Sequence, residues 1–370
     1  MTDPRTDPVF HWFLPTGGDD RAVGAGSHGG IIGAQDLASL PRSATHREPS
    51  LEYLGDIARA ADRLGYAGVL TPTGVHCEDA WLTTAALIAQ TRRLNFLVAF
   101  RPGLIAPALA AQMAATFQRL SAGRLLLNVV IGSSAQEQRG YGDLLDHDAR
   151  YERAGEFLDV VRAAWRGERF DHNGAHYTVE GGLLREPPQV IPTVYLGGSS
   201  PAAVRLAARH ADVYLTWGEP VEQVAEKIAK VRVEADAHGR SLRFGIRLHV
   251  ITRDTADRAW DDAERLIAGL DDDTVRQRQE SLRALESEGQ RRMLALHGGS
   301  RDRLVVAPNL WAGIGLVRGG AGTALVGSHA EVAARIEEYR TAGISEFILS
   351  GYPHLEEAYA FAEGVLGRPS

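Results

Sequence analysis

The residues RFGIRLHVI at 243–251 alternate strictly, with Phe244, Ile246, Leu248 and Val250 in one apolar row and Arg243, Gly245, Arg247, His249 and Ile251 in the other. A period of two marks a β-strand, because successive side chains leave opposite faces. Arg247 and His249 then point the same way and can meet one ligand. Unpaired charges are costly to bury, so this face reaches either solvent or an anion. An anion-binding mouth and an edge strand with one wet face are both open on this stretch alone.

Comparable strand-like runs lie at 9–14, 68–72, 94–100, 125–131, 193–197, 212–216 and 346–350, making eight in all with 244–251. Helical periodicity falls between them, at about 51–65, 78–91, 107–121, 149–166, 200–209, 220–238, 256–270 and 329–342, and again at 355–366. Strand and helix in alternation call for parallel pairing with crossover helices. Eight such units predict an α/β fold of the (β/α)8 barrel type, one domain over 1–370, with its chemistry at the carboxyl ends of the strands.

Three segments exceed a minimal barrel: 17–49, rich in Gly, Ser and Ala; 167–192, with a hairpin turning at Asn173-Gly174; and 297–327. Loops beyond about 12–15 residues without structure of their own are usually functional or disordered. The first and third lie on the catalytic side and are expected to act as lids.

The strand ends gather chemistry on one rim. They carry Thr73, His76 and Cys77; Arg101; Asn128, Gly132 and Ser133; YLGGSS at 195–200; Thr216 and Trp217; Arg247 and His249; and Gly351 to His354. YLGGSS followed by Pro201 offers backbone N–H groups, hydroxyls and a helix N-terminus, which suit a phosphate. It also suits an ordinary cap, with Ser200 before a proline at the first helical position.

Composition narrows the setting. The net charge of −7 gives no support to a nucleic-acid partner, and isolated arginines against it fit capture of a small anion. One cysteine excludes an intrachain disulfide and disfavours a thiolate metal site, so no metal and a reducing cytosol are expected. No apolar run nears a membrane span, and the start MTDPRTDPVF lacks signal-peptide blocks. There is no GxGxxG dinucleotide fingerprint after an early strand.

FHWFLPT, AADRLGYAGVLTPTG, CEDAW, LDHDARYE, YLGGSS, YLTWGEP, HGRSLRFGIRLHVI, PNLWAGIGLVRGGAGTALVG and ILSGYPHLEEAY together resemble the flavin-dependent alkanesulfonate monooxygenases, TIM-barrel flavoproteins of the bacterial-luciferase group. The resemblance runs from about Phe10 to Tyr359. It implies a two-component reaction in which a separate NAD(P)H-dependent reductase supplies reduced FMN, O2 is co-substrate, and an organosulfonate gives aldehyde and sulfite. It also implies a cytoplasmic homodimer or homotetramer.

The positions matching the family's active site are Cys77, Trp217, Arg247, His249, Arg318 and Tyr352. For the cofactor, the match points to Tyr151, Gly198 and Ser199 at the phosphate and Asn128 beside the ring. Arg247 would grip an oxyanion, and His249 would exchange a proton near neutral pH. Arg318, among glycines, would close over ligand. Trp217 and Tyr352 would form walls, with Tyr352 a possible donor to oxyanions, and Cys77 would take a place in the pocket without a nucleophile's role.

The chain departs from the family after its first strand, where Gly17 replaces a histidine and a longer polar loop carries Ser27, His28 and His46. A wider, more hydrophilic mouth fits a hydroxylated sulfonate such as sulfoquinovose better than a linear alkyl one. A deazaflavin-dependent hydride carrier of the same barrel group and a non-catalytic flavin binder are the alternatives.

Overall fold

The structure, a computed structural model, describes residues 7–23 and 44–367. Eight parallel strands form its centre: β1 (Val9–Phe13), β2 (Gly68–Thr71), β3 (Asn95–Phe100), β4 (Leu125–Val129), β5 (Thr193–Gly197), β6 (Val213–Trp217), β7 (Arg243–Arg253) and β8 (Glu346–Ser350). Each pairs with its sequence neighbour, and β8 pairs with β1, closing a (β/α)8 barrel.

Helices α1 (Leu51–Leu64), α2 (Ala80–Leu87), α3 (Pro107–Ser121), α4 (His147–Trp165), α5 (Pro201–His210) and α6 (Val221–Ala237) connect the first seven strands. Local chemistry sets their ends. Ser50 caps α1 by accepting from Tyr53 N, and Gly65 ends it in the left-handed region at φ 91°. Proline opens both α3 and α5, where its missing N–H costs nothing.

Between β7 and β8 the chain elaborates. Helix α7 (Ala256–Ile267) is followed by α8 (Asp272–Arg283) and α9 (Glu288–His297), neither of which the hydrophobic pattern predicts, and α10 (His329–Thr341) leads into β8. The 297–327 segment is not a structureless lid. It carries short strands at Val305–Ala307 and Leu310–Trp311, and a third at Ala324–Ser328 runs parallel to the last five residues of β7. Only its middle, around Arg318, is loop. The hairpin at 167–192 forms as expected, with strands Phe170–Asn173 and Thr178–Gly182. Helix α11 (His354–Phe361) ends the barrel. Ser27 and His28 lie outside the described residues.

The alternation in β7 has the anticipated consequence. Phe244, Ile246, Leu248 and Val250 join the core under the helices, so Arg243, Gly245, Arg247 and His249 share the barrel interior. Phe13, Leu70, Leu97, Tyr195, Val213 and Ile348 fill its middle. Below them Glu346, fully buried, receives Arg243, the Tyr195 hydroxyl at 2.7 Å and His11 Nε2 at 3.3 Å. This polar plug closes the amino-terminal end of the barrel.

Candidate active site

Above the apolar layer, a cleft of about 240 Å³ opens at the carboxyl ends of the strands. Asn128, Tyr151, Gly198, Ser199, Trp217 and Arg247 all line it. One end suits a phosphate. Ser200 caps α5 through Ala203 N, and the hydroxyl of the half-buried Tyr151, whose pKa partial burial raises, hydrogen-bonds Ser200. Gly198 has φ 133°, and a Cβ there would approach Ala203 Cβ to 2.6 Å and the Tyr151 oxygen to 3.3 Å. Glycine thus leaves a cradle that any side chain would fill. Opening onto a helix N-terminus, the cradle fits the phosphate of FMN, which Tyr151, Ser199 and the 197–200 backbone would hold. Gly198→Ala is expected to raise the FMN dissociation constant at least about tenfold, read by flavin fluorescence quenching; unchanged affinity would remove the cradle from the binding site.

The other end is cationic and closed. Arg247, 6% exposed, donates to the Leu248 carbonyl at 2.6 Å and to Ser350 Oγ at 2.8 Å. Its guanidinium lies 4.7 Å from the Phe13 ring centroid, and that of Arg318 lies 5.7 Å from the same ring. Arg318 also donates to His249 Nε2. A guanidinium only donates, so Nε2 is the acceptor, and the imidazole proton sits on Nδ1 facing Ser350 Oγ at 2.7 Å. The Ala321 carbonyl, 3.1 Å from Nε2, is then a close neighbour without a shared proton.

Burial, then Arg318 and Arg247, push the His249 pKa well below its ordinary value. The imidazole is therefore neutral and orients Arg318. The proton exchange anticipated for it is not what this arrangement offers, because both ring nitrogens are already engaged. Tyr352 stacks on it, with centroids 5.4 Å apart, and burial raises the phenol pKa, keeping an O–H donor.

Cys77, His249, Arg318 and Tyr352 are not on the cleft lining. The last three form the cluster behind Arg247. Cys77 is half-buried beside Thr16, Glu137, Arg101 and Arg318, and burial pushes its thiol up to about 11. A neutral thiol is no nucleophile at pH 7.

Several neighbours escaped sequence reasoning. Ser350 joins Arg247 to His249, but only the pairing of β8 with β7 places it opposite His249. Lys227 reaches from α6 to the cleft, donating to Thr216 at 2.9 Å and Glu219 at 2.7 Å. Glu286 to Gly289, ahead of and opening α9, form a further wall. Gly17 is followed by Asp19, fully buried, which accepts from the His354 backbone N–H at 2.7 Å and from Tyr53 at 2.5 Å, and pairs with His354 Nδ1 at 2.8 Å. Burial raises the Asp19 pKa, but His354 and Tyr53 outweigh it and bring the value to about 2. The backbone bridge between Asp19 and Arg47 ties the two ends of the 17–49 loop together beside the site. His46, from the same loop, packs on Gly18.

Residues 10–346 match the family model for luciferase-like monooxygenases. The chain belongs to that family. Among solved structures, riboflavin lyase (RcaE), crystallised with modified FMN and riboflavin, superposes with a TM-score of 0.77 at 21% identity, covering 98% of this chain and 91% of that one. The EDTA monooxygenase EmoA of Chelativorans sp. BNC1 gives 0.71 at 19% identity, covering 98% and 93%. An F420-dependent secondary alcohol dehydrogenase gives 0.67 at 15% identity, covering 99% and 100%. At these identities the likeness is one of fold, shared by a lyase, a monooxygenase and an F420-dependent dehydrogenase alike.

Proposed function

We propose that this luciferase-like monooxygenase uses reduced FMN, delivered by a separate NAD(P)H-dependent reductase, and O2 to convert an organosulfonate into an aldehyde and sulfite. The observation that carries this reading is the pair of buried guanidiniums, Arg247 on the cleft lining and Arg318 behind it, 4.7 and 5.7 Å from the Phe13 ring centroid, in a cleft that also offers a cradle suited to a phosphate. Burial, then Arg318, lower the stability of the charge on Arg247, and a sulfonate beside it would offset that cost with charge-assisted hydrogen bonds. A hydride-transfer site has no need of two arginines there.

When bound, reduced FMN supplies the activation of O2. One oxygen atom ends in the aldehyde and the other in water, as the C–S bond breaks and sulfite leaves with its electron pair. The chain's own residues bind and orient. Arg247 and Arg318 hold the sulfonate oxygens, His249 and Ser350 fix those arginines, Tyr352 donates its O–H, Trp217 walls the cleft, and the Arg318 loop excludes water. Asn128, near the carboxyl end of β4 on the cleft lining, would lie beside the flavin ring.

The substrate we favour is polyhydroxylated, with sulfoquinovose as the example. Glycine at position 17 brings no side chain where the family pattern has a histidine, and the Asp19–Arg47 bridge joins the two ends of the polar loop that follows. A site that hydrogen-bonds hydroxyls rejects analogues lacking them. The test supplies reduced FMN and measures sulfite from sulfoquinovose, hexanesulfonate and octanesulfonate, with a reduced deazaflavin and a secondary alcohol as the contrasting assay. Higher kcat/KM for sulfoquinovose is expected. Preference for the alkyl compounds would return the protein to ordinary alkanesulfonate use, and hydride transfer without sulfite would sink the oxygenase reading.

A further inference from the structure

The segment SEGQ at 287–290 has the form of a capping box, in which the glutamine at the third helical position ordinarily turns back to the cap's own N–H. Half of that box is present: Ser287 Oγ accepts from Gln290 N at 3.1 Å. The carboxamide goes elsewhere. Gln290 Oε1 accepts from the Gly320 N–H at 2.9 Å, two residues beyond Arg318, and Gln290 itself is 1% exposed. Helix α9 thus uses a local capping residue to hold the tip of another loop.

The surroundings make that contact consequential. The root of the loop is already fixed, since Gln279 on α8 donates to the Gly315 and Leu316 carbonyls at 3.0 and 2.8 Å, and Gly315 N meets the Gly322 carbonyl at 2.9 Å. The tip is glycine-rich, with Gly320 at φ 82°, so its backbone resists displacement little. It carries Arg318 into a buried site that also holds Arg247. The Gln290 acceptor restrains that yielding backbone. Gly289 lets the helix come this close, because a Cβ there would sit 3.0 Å from the Trp217 ring.

We infer that Gln290 is a positioning residue for Arg318, holding the loop tip so that its guanidinium is placed before the sulfonate arrives. The inference rests on the sulfonate reading above for its kinetic consequence, and on geometry alone for its structural one. If the tip is placed in advance, losing the acceptor lowers the fraction of binding-competent protein. Apparent affinity then falls in proportion, while saturating ligand restores the closed arrangement. A mere loss of folded protein would lower kcat and leave KM alone.

The test compares Gln290→Met, of similar length without an acceptor, with Gln290→Glu, which retains one. Hydrogen exchange of the segment spanning Gly315 to Thr323 is followed in the intact protein, and KM and kcat are measured with sulfoquinovose and reduced FMN. In Gln290→Met, exchange at Gly320 should rise about tenfold and KM about tenfold, with kcat within about twofold of the parent. Gln290→Glu should recover both. Unchanged exchange in Gln290→Met, no recovery in Gln290→Glu, or a fall in kcat at constant KM overturns the inference. Were the parent to release no sulfite from any sulfonate, the functional reading would fall, and the exchange result would still decide the role of Gln290.

Discussion

Arg318→Ala is expected to lower kcat by about 10²–10³-fold, the scale seen when a preorganised donor to a developing oxyanion is removed, with a change in Tm of no more than about 4 °C. The two effects separate because Arg318 sits on a loop and contributes a charge more than packing. Its removal takes away the His249 contact and one source of repulsion on Arg247. The same variant carries a spectroscopic signature. Burial comes first among the causes that depress the His249 pKa and Arg318 second. Without the guanidinium, the His249 pKa should rise while staying below its ordinary value, because burial and Arg247 remain. Titration of the imidazole by NMR and sulfite assays read both arms, and full turnover in the variant would remove Arg318 from the site.

The largest stability effect is expected at Asp19. Truncation to alanine leaves the His354 N–H, its ring nitrogen Nδ1 and the Tyr53 hydroxyl without their shared acceptor in a fully buried site. Breaking such a pair by removing one partner costs about 3–5 kcal/mol, and Tm should fall by about 5–10 °C. The dependence on pH follows from the sign of the shift. The Asp19 pKa drops from 3.8 unfolded to about 2 folded, so the carboxylate's contribution is present above pH 3.8 and is lost as pH falls through about 2. The gap in Tm between parent and Asp19→Ala should therefore be undiminished from pH 7 to pH 5. Asp19→Asn, which keeps an acceptor, should lose less. Calorimetry across that range decides it, and a gap that vanished by pH 5 would contradict the pairing.

What the residue pattern discloses here depends on how far each signal reaches. The period-two row in β7 predicts both the strand and the common direction of Arg247 and His249, since alternation is a local property. The helix at 107–121 is found with its predicted bounds because Pro107 starts it and apolar residues recur along it. Helices α8 and α9 are invisible by the same logic: DDDTVRQRQESLRALESEGQRRM is mostly charged or polar, with too few apolar positions to mark a stripe. Of the three short strands after α9, Ala324–Ser328 pairs with β7, and the other two add to it in antiparallel order, a long-range arrangement that their own sequence does not signal. Ser350 and Asp19 are ordinary residues until strand register and loop closure bring them to His249 and His354. Cys77 shows the opposite limit. A strand-end position suggests a place on the pocket wall, and only the folded cleft, whose lining omits it, shows otherwise.

The plug of Glu346, Arg243, Tyr195 and His11 gives the barrel the character of a cup rather than a tube. With the axis blocked by ion pairs and a packed apolar layer, small molecules have no back door among the described residues. Whatever reaches Arg247 must pass the rim, and whatever is made there must return the same way. Traffic is then one-lane: in the reaction proposed above, a cofactor exchanged every cycle would compete for passage with substrate, aldehyde and sulfite. Speed in such a protein is governed at the rim, where every arrival waits on a departure.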